Sequence, residues 1–298
     1  MTDARCLVKI VPKKPRIGID LMGESVSLPD ELKEICHPEF IIAEEVITMN
    51  DDPISAIRKK KNSSLHVGLR LLKEGHLDAL VSFGNTGALL VGAIASIPLI
   101  QGVSRPALIT LLPTSKNPVA VLDVGANVTC KSEHLQQWAK IGIAFQKSCG
   151  IPSPTVGLLN IGTEETKGRD ELKQAYALLN EDPLISFAGN IEGREVFKGA
   201  VDVLVTDGFT GNIFLKTAEG LSAFILEKLQ KKASDYPELD YAEYPGALLC
   251  GIDGIIIKCH GEFNHKALLS AVKKGAELVS EGFLNNVKSF YTGKSNGT

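Results

Sequence analysis

Apolar residues in this chain come in short runs, and four of the runs break into loops of Gly, Asn, Ser and Thr. These are residues 80–90 (LVSFGNTGALL), 119–130 (VAVLDVGANVTC), 156–169 (VGLLNIGTEETKGR) and 203–216 (VLVTDGFTGNIFLK). Runs of this length, closed by turn residues and followed by helical periodicity, predict buried parallel strands that feed helices. Before them the pattern predicts a strand over 15–21, a brief helix over 29–36 and a strand over 40–47. One helix is predicted over 53–74, with Ile54, Ile57, Leu65, Leu69 and Leu72 on its apolar face and Gly75 closing it. An amphipathic helix over 133–147 carries the only tryptophan, Trp138, as a core anchor. Further helices are predicted over 171–179 and 217–232, the latter with Leu221, Phe224, Ile225 and Leu229 on one face. A polar, Tyr-rich loop follows over 234–245, then the last strand within 248–258 and a closing helix over 266–282. Strand–helix alternation from residue 77 to about 229, with no repeat, low-complexity tract or clean linker, predicts an α/β fold with a mostly parallel sheet flanked by helices.

Composition changes this picture little. The chain has 298 residues, 44% of them hydrophobic, and a net charge of −3. That suits a protein with a substantial core and gives no bulk attraction to nucleic acid. Residues 79–104 contain no charge and are long enough to raise a membrane span, but Asn85, Thr86, Pro98, Gln101 and several glycines favour a buried strand, a loop and a buried helix. Cys6, Cys36, Cys130, Cys149, Cys250 and Cys259 form no CxxC or zinc spacing, and the N-terminus is polar and basic, so reduced thiols in a cytoplasmic protein are expected. The basic run Arg58–Lys59–Lys60–Lys61 reads as a solvated face.

The loops carry the candidate chemistry. In an open parallel sheet the ligand sits beyond the carboxyl ends of the strands. Glycine amides and helix N-termini there suit a small oxyanion such as phosphate. Gly84, Asn85, Thr86 and Gly87 form either a phosphate cradle or a plain turn with Thr86 as helix cap. Asp123 orients a neighbouring donor or serves a structural pair, with Asn127 close behind. Thr163, Glu164, Glu165, Lys167 and Arg169 crowd one strand-end loop, where Lys167 is the candidate phosphate cation. In Asp207, Gly208, Gly211 and Asn212, the asparagine either donates to an oxyanion or caps a helix, and Asp207 is a paired acid or a loop-orienting acceptor. His260 follows a strand and is either structural or catalytic. Nothing matches GxxxxGK[ST], GxGxxG or GxSxG, so nucleotide binding and a serine triad lack their fingerprints.

Taken together, SFGNTGALL, GVSRPAL with LLPT, LDVGANVTCKSEHL, VGLLNIGTEETKG, GNIEGREVFKGAVDVLVTDGFTGNIFLKTAEG and DYAEYPGALLCGIDG…CHG resemble the bacterial phosphate acyltransferases, the acyl-ACP–phosphate transacylases of the PlsX type. These segments run in order through about two thirds of the chain. The resemblance implies a three-layer α/β/α fold like that of isopropylmalate dehydrogenase and phosphotransacetylase. It implies one domain over 1–298, with its core at 77–220 and 246–282 and a shortened N-terminal part at 15–75. It implies a homodimer that converts acyl-acyl-carrier-protein and inorganic phosphate into acyl phosphate for phospholipid synthesis, without cofactor or metal. The product would pass to a membrane acyltransferase acting on glycerol 3-phosphate, with peripheral contact at the inner membrane surface. Lys167 would bind phosphate and Asn212 would contact phosphate or the developing oxyanion. Asp20, Gly23, Asn85, Thr86, Asn127, Thr163, Asp207 and the amides of Gly84, Gly87, Gly208 and Gly211 would complete the cradle, and His260 would orient the site. Lys131, Arg169, Arg194, Lys198 and residues 58–61 would form a basic rim for an acidic carrier.

The chain departs from the family where a DAMGGD-like motif reads DLMGES (residues 20–25), placing Glu24 beside the expected anion. The stretches 23–40 and 220–241 are also short for the family. The alternatives are a phosphotransacetylase-like enzyme using acyl-CoA and a non-catalytic homologue that binds acyl carrier.

Overall fold

The structure, a computed structural model, describes residues 6–11, 15–21, 37–231, 236, 246–259 and 265–292. The expected helix at 29–36, nearly all of the loop at 234–245, and Gly23, Glu24, Ser25 and His260 lie outside the described residues. The chain divides into two compact units, one formed by Met1–Ile100 with Pro245–Leu284, the other by Gln101–Tyr244 with Asn285–Thr298.

In the first unit the strands run in the order β3 (His37–Ile42), β1 (Cys6–Val11), β2 (Ile17–Asp20), β4 (Ala79–Ser82), β11 (Ile255–Lys258) and β10 (Ala247–Cys250). The pairs β2–β4 and β4–β11 are parallel, whereas β1 pairs antiparallel with β2 and β3, and β10 with β11. Helices α1 (Pro53–Lys59), α2 (Ser64–Lys73), α3 (Thr86–Ser96) and α8 (His265–Ser280) belong to this unit. In the second unit the order is β5 (Ala107–Leu112), β6 (Val119–Leu122), β9 (Val203–Val205), β7 (Thr155–Leu159) and β8 (Ser186–Ile191), parallel except for β5–β6. Its helices are α4 (Ser132–Ser148), α5 (Asp170–Glu181), α6 (Gly193–Val196) and α7 (Gly208–Lys228), and a last helix, α9, spans Phe283–Thr292. The class is α/β, a mostly parallel mixed sheet flanked by helices in three layers.

The apolar runs behave as expected of strands covered on both faces: every residue of β2, β4, β6, β9 and β11 is buried. Residues 79–104 resolve into β4, a loop and α3, and no described helix is long and apolar enough to cross a membrane. Trp138 anchors the second unit. It is fully buried, its indole N–H donates to the Arg105 carbonyl at 3.0 Å, and the His134 ring stacks on it at 5.9 Å.

Several boundaries differ from the sequence pattern. The expected helix over 53–74 is two helices, and Ile54 is 53% exposed. Between them Lys60 turns back to donate to the Val46 carbonyl at 2.7 Å and to Asp51 at 2.6 Å, and Ser63 caps the second helix. The basic run 58–61 is therefore partly a loop tie and not wholly a solvated face. The helix expected at 217–232 begins at Gly208 and ends at Lys228. Its predicted apolar residues Leu221, Phe224, Ile225 and Leu229 are 39–60% exposed. The closing helix breaks at Gly282, whose φ of 63° favours glycine. The strand β1 lies in a segment that reads as polar and basic, and β10 adds an antiparallel strand where one strand was expected.

Trp138→Ala removes the largest fully buried side chain and is expected to cost about 3–5 kcal/mol, read as a fall in the urea midpoint at unchanged m-value.

Candidate active site

In the second unit the parallel strands β6, β9 and β7 deliver three loops to one sheet edge. The first begins at Asp123, which has no exposed surface. Its Oδ1 accepts from the backbone N–H groups of Leu108 at 2.9 Å, Gly125 at 3.2 Å and Ala126 at 3.0 Å. Its Oδ2 accepts from the Asn127 backbone N–H at 2.7 Å and the Asn127 amide at 2.9 Å. Burial pushes the Asp123 pKa up, while the hydrogen bonds from Ala126, Leu108 and Asn127 pull it back. The Asn127 amide also donates to the Pro106 carbonyl at 2.8 Å, so this side chain is engaged in holding the loop.

The loop packs directly on the start of α7. Gly208 donates to the Asn127 carbonyl at 2.9 Å, and a Cβ on Gly211 would run into the Asp123 carbonyl. Asp207 caps α7, with Oδ1 accepting from the Thr210 N–H at 2.9 Å and Oδ2 from the Thr210 hydroxyl at 2.8 Å. Its Oδ2 also accepts from Arg169 Nη2 at 2.7 Å, a pair in which Asp207 is 3% exposed and Arg169 55%. Asp207 is therefore both a paired acid and a loop-orienting acceptor. Asn212 sits one turn inside the helix and does not cap it. Its side chain faces Gly125, and among the described residues its amide makes no hydrogen bond.

The third loop is held from beneath by a pair of buried asparagines. Asn160 donates to the Lys167 carbonyl and to Asn190 Oδ1, each at 3.1 Å, and Asn190 donates to the Glu164 carbonyl at 2.8 Å. Above them Lys167 is 45% exposed, with Nζ 3.7 Å from Glu164, and Thr163 is exposed. An exposed ion pair of that length is weak and easily exchanged for an anion. The apolar Val128, Ile161, Phe209 and Ile213, on these same three loops and helix start, are 51–81% exposed. Asn190 lies outside the strand-end motifs, so no local pattern marks it. Arg169, expected at the strand-end loop and the carrier rim, joins the β7 and β9 loops through Asp207.

The first unit carries its own cluster. Asp20, 1% exposed at the end of β2, accepts from the Ser64 hydroxyl at 2.7 Å and the Ser82 hydroxyl at 2.8 Å, and Gly84 N–H donates to Ser82 Oγ at 3.1 Å. Asn85, not Thr86, caps α3 by accepting from the Ala88 N–H at 3.0 Å. The Asn85 amide donates to the carbonyls of Thr48, Met49 and Asp51, each at 3.2 Å. Gly87 leaves room for Pro53, whose ring a Cβ would meet at 2.6 Å. Here the side chain of Asn85 holds the neighbouring loop, which leaves main-chain amides and Thr86 as the groups open to an anion.

In two thiols near these clusters the thiolate, the nucleophilic form, is disfavoured. Burial, aided for Cys130 by the Asp207 carboxylate, pushes both Cys130 and Cys259 up to about 12. Among the described residues no group of three His, Cys, Asp or Glu side chains stands together as a metal site.

Comparisons with known proteins bear on this geometry. A family model described as "Fatty acid synthesis protein" matches residues 9–286. A phosphate acyltransferase of Chlamydia pneumoniae is 49% identical over 262 residues, 87% of this chain and 82% of the relative. One of Desulforamulus reducens is 43% identical over 267 residues, 84% of this chain and 80% of the relative. Among solved structures, the EutD phosphotransacetylase of Staphylococcus aureus gives a TM-score of 0.53 at 18% identity, covering 76% of this chain and 68% of its own. A phosphotransacetylase of Streptococcus pyogenes gives 0.53 at 15% identity, covering 83% and 77%. These structures are similar in fold alone.

Gly211→Ala forces α7 off the Asp123 loop and is expected to cost about 1–3 kcal/mol, measured by denaturant titration. Cys130, with its thiol pushed up to about 12, stays protonated through pH 8, so native protein should resist iodoacetamide there while unfolded protein is alkylated, as read by mass spectrometry.

Proposed function

The chain belongs to the phosphate acyltransferase family, and we propose that its strand-end loops bind inorganic phosphate beside an acyl thioester carried by acyl carrier protein. The activity is acyl transfer to phosphate, in the service of phospholipid synthesis. The observation that carries the reading is the composition of the second unit's sheet edge. Lys167, Arg169 and the Asn212 amide share it with the exposed apolar side chains Val128, Ile161, Phe209 and Ile213. Cations and an amide suit the phosphate; apolar surface suits an acyl chain.

In this reading a phosphate oxygen attacks the thioester carbonyl. A C–O bond forms, the C–S bond breaks, and the thiol leaves with a proton from the medium. Phosphate is the nucleophile in this reading, which agrees with burial disfavouring the thiolates of Cys130 and Cys259. Lys167 exchanges Glu164 for the phosphate. Asn212 donates to phosphate or to the oxyanion, a contribution of roughly 3–4 kcal/mol for one such donor. Positioning the two reactants accounts for about 7–11 kcal/mol more. Thr163 completes the proposed phosphate contacts of the second unit, where the amides of Gly208 and Gly211 already donate to the carbonyls of Asn127 and Asp207 and fix the start of α7. In the first unit Thr86 and the Gly87 amide are the proposed open donors, while Asp20 and Gly84 hold the loop through Ser82. Gly23 and His260 keep the phosphate-binding and orienting roles implied by the resemblance. We also propose a homodimer, with the uncovered face of α7 (Leu221, Phe224, Ile225) as its natural contact, and delivery of product to a membrane glycerol-3-phosphate acyltransferase from a peripheral position.

Long-chain acyl-acyl-carrier-protein should release free carrier only when phosphate is present, with acyl phosphate trapped. Lys167→Ala should raise the phosphate KM by about tenfold or more, the equivalent of one charged hydrogen bond. Turnover of acyl-CoA in place of the carrier would move the donor assignment, and absence of turnover with either donor from folded protein would leave only carrier binding. Sedimentation velocity at twice the protomer mass is the expected result for the dimer.

A further inference from the structure

Lys258 is the last residue of β11 and is only 7% exposed. It pairs in parallel register with Ser82, which pairs in turn with Asp20. In-register residues of neighbouring strands share a sheet face. Asp20, Ser82 and Lys258 therefore form one row across the carboxyl ends of β2, β4 and β11. The row is tied to the GNTG loop, because the Ser82 hydroxyl donates to Asp20 and accepts from the Gly84 N–H. Lys258 Nζ donates to the carbonyl of Cys259, and among the described residues this is its one hydrogen bond. An ammonium carries three donors, and a buried one is costly unless an anion meets it. Asp20 acts on it through its field without a direct ion pair, and both Asp20 oxygens are already engaged by the hydroxyls of Ser64 and Ser82. Burial pushes the Lys258 pKa down against that field.

We propose that Lys258 is an anion ligand, taking a phosphate oxyanion at the carboxyl ends of β2, β4 and β11 beside the GNTG loop. The proposal rests on the acyl-transfer reading above for the identity of its anion. The shared chemistry is a phosphate group, from either inorganic phosphate or the phosphodiester of the carrier's pantetheine arm. Asp20 and Ser82 act as positioning residues, setting the amine's charge and the height of the Gly84 amide.

The test compares wild type with Lys258→Met, Lys258→Gln and Lys258→Arg in steady-state kinetics and in equilibrium dialysis with radiolabelled inorganic phosphate. Methionine fills the buried stem without charge. Loss of a charged hydrogen bond raises a KM by about 10- to 100-fold in the Met and Gln variants at little change in kcat, with partial recovery in the Arg variant. A rise confined to the phosphate KM, with weaker dialysis binding, assigns inorganic phosphate. A rise confined to the acyl-donor KM assigns the pantetheine phosphodiester. Folded Met and Gln variants with both KM values unchanged overturn the proposal, as does failure of all three variants to fold, which would make the lysine structural. Absence of turnover in wild type would defeat the acyl-transfer reading alone. Dialysis then judges Lys258 as an inorganic-phosphate ligand: weaker binding in the folded Met and Gln variants supports the site, and unchanged binding overturns it.

Discussion

A carboxylate with no exposed surface, Asp123, organises the second unit's sheet edge. It gathers the N–H groups of Leu108, Gly125, Ala126 and Asn127 onto two oxygens. A buried charge is tolerated only when its lone pairs are met, and the 123–127 loop has the shape that meets them. That shape then dictates the next element. Gly208 and Gly211 lack side chains where α7 starts, since a Cβ at either would collide with the loop. The position of Asn212 over Gly125 follows from this packing.

The same physical device recurs in the other loops. Asn160 and Asn190 hold the 160–169 loop through its carbonyls, Asn85 holds residues 48–51, and Asp20 collects the hydroxyls of Ser64 and Ser82. In each case a buried polar side chain does the work that a regular hydrogen-bond ladder does inside a strand. In these loops the buried asparagines and carboxylates are engaged and set shape, and Lys167, Arg169 and Asn212 keep capacity for a ligand, as the buried Lys258 does beside the GNTG loop. Glycine-rich loops at strand ends can thus be rigid without being covered. A nucleophile of the protein's own is unnecessary when phosphate itself attacks, and burial pushes the nearby thiols up, against the thiolate.

Membership in the phosphate acyltransferase family was legible in the order of the loop motifs. The division of labour within each motif was not. Asn85 and Asn127 read as cradle residues, yet their amides hold backbone carbonyls, because those carbonyls belong to segments 21–37 residues away in sequence. Lys258 read as the end of a strand. Only the in-register alignment of β2, β4 and β11 sets it in one row with Asp20 and Ser82.

By itself the sequence determined the α/β class and the strand–loop–helix units, because period, run length and turn residues are local properties. It also determined Trp138 as an anchor, since a lone large aromatic on an amphipathic helix has little alternative to burial. Tertiary structure alone decided the antiparallel β1 and β10, the break at Lys60 and the early start of α7. It alone decided which polar side chains are engaged and which remain available. Those outcomes depend on partners distant in the chain, whose burial and hydrogen bonding override local propensity.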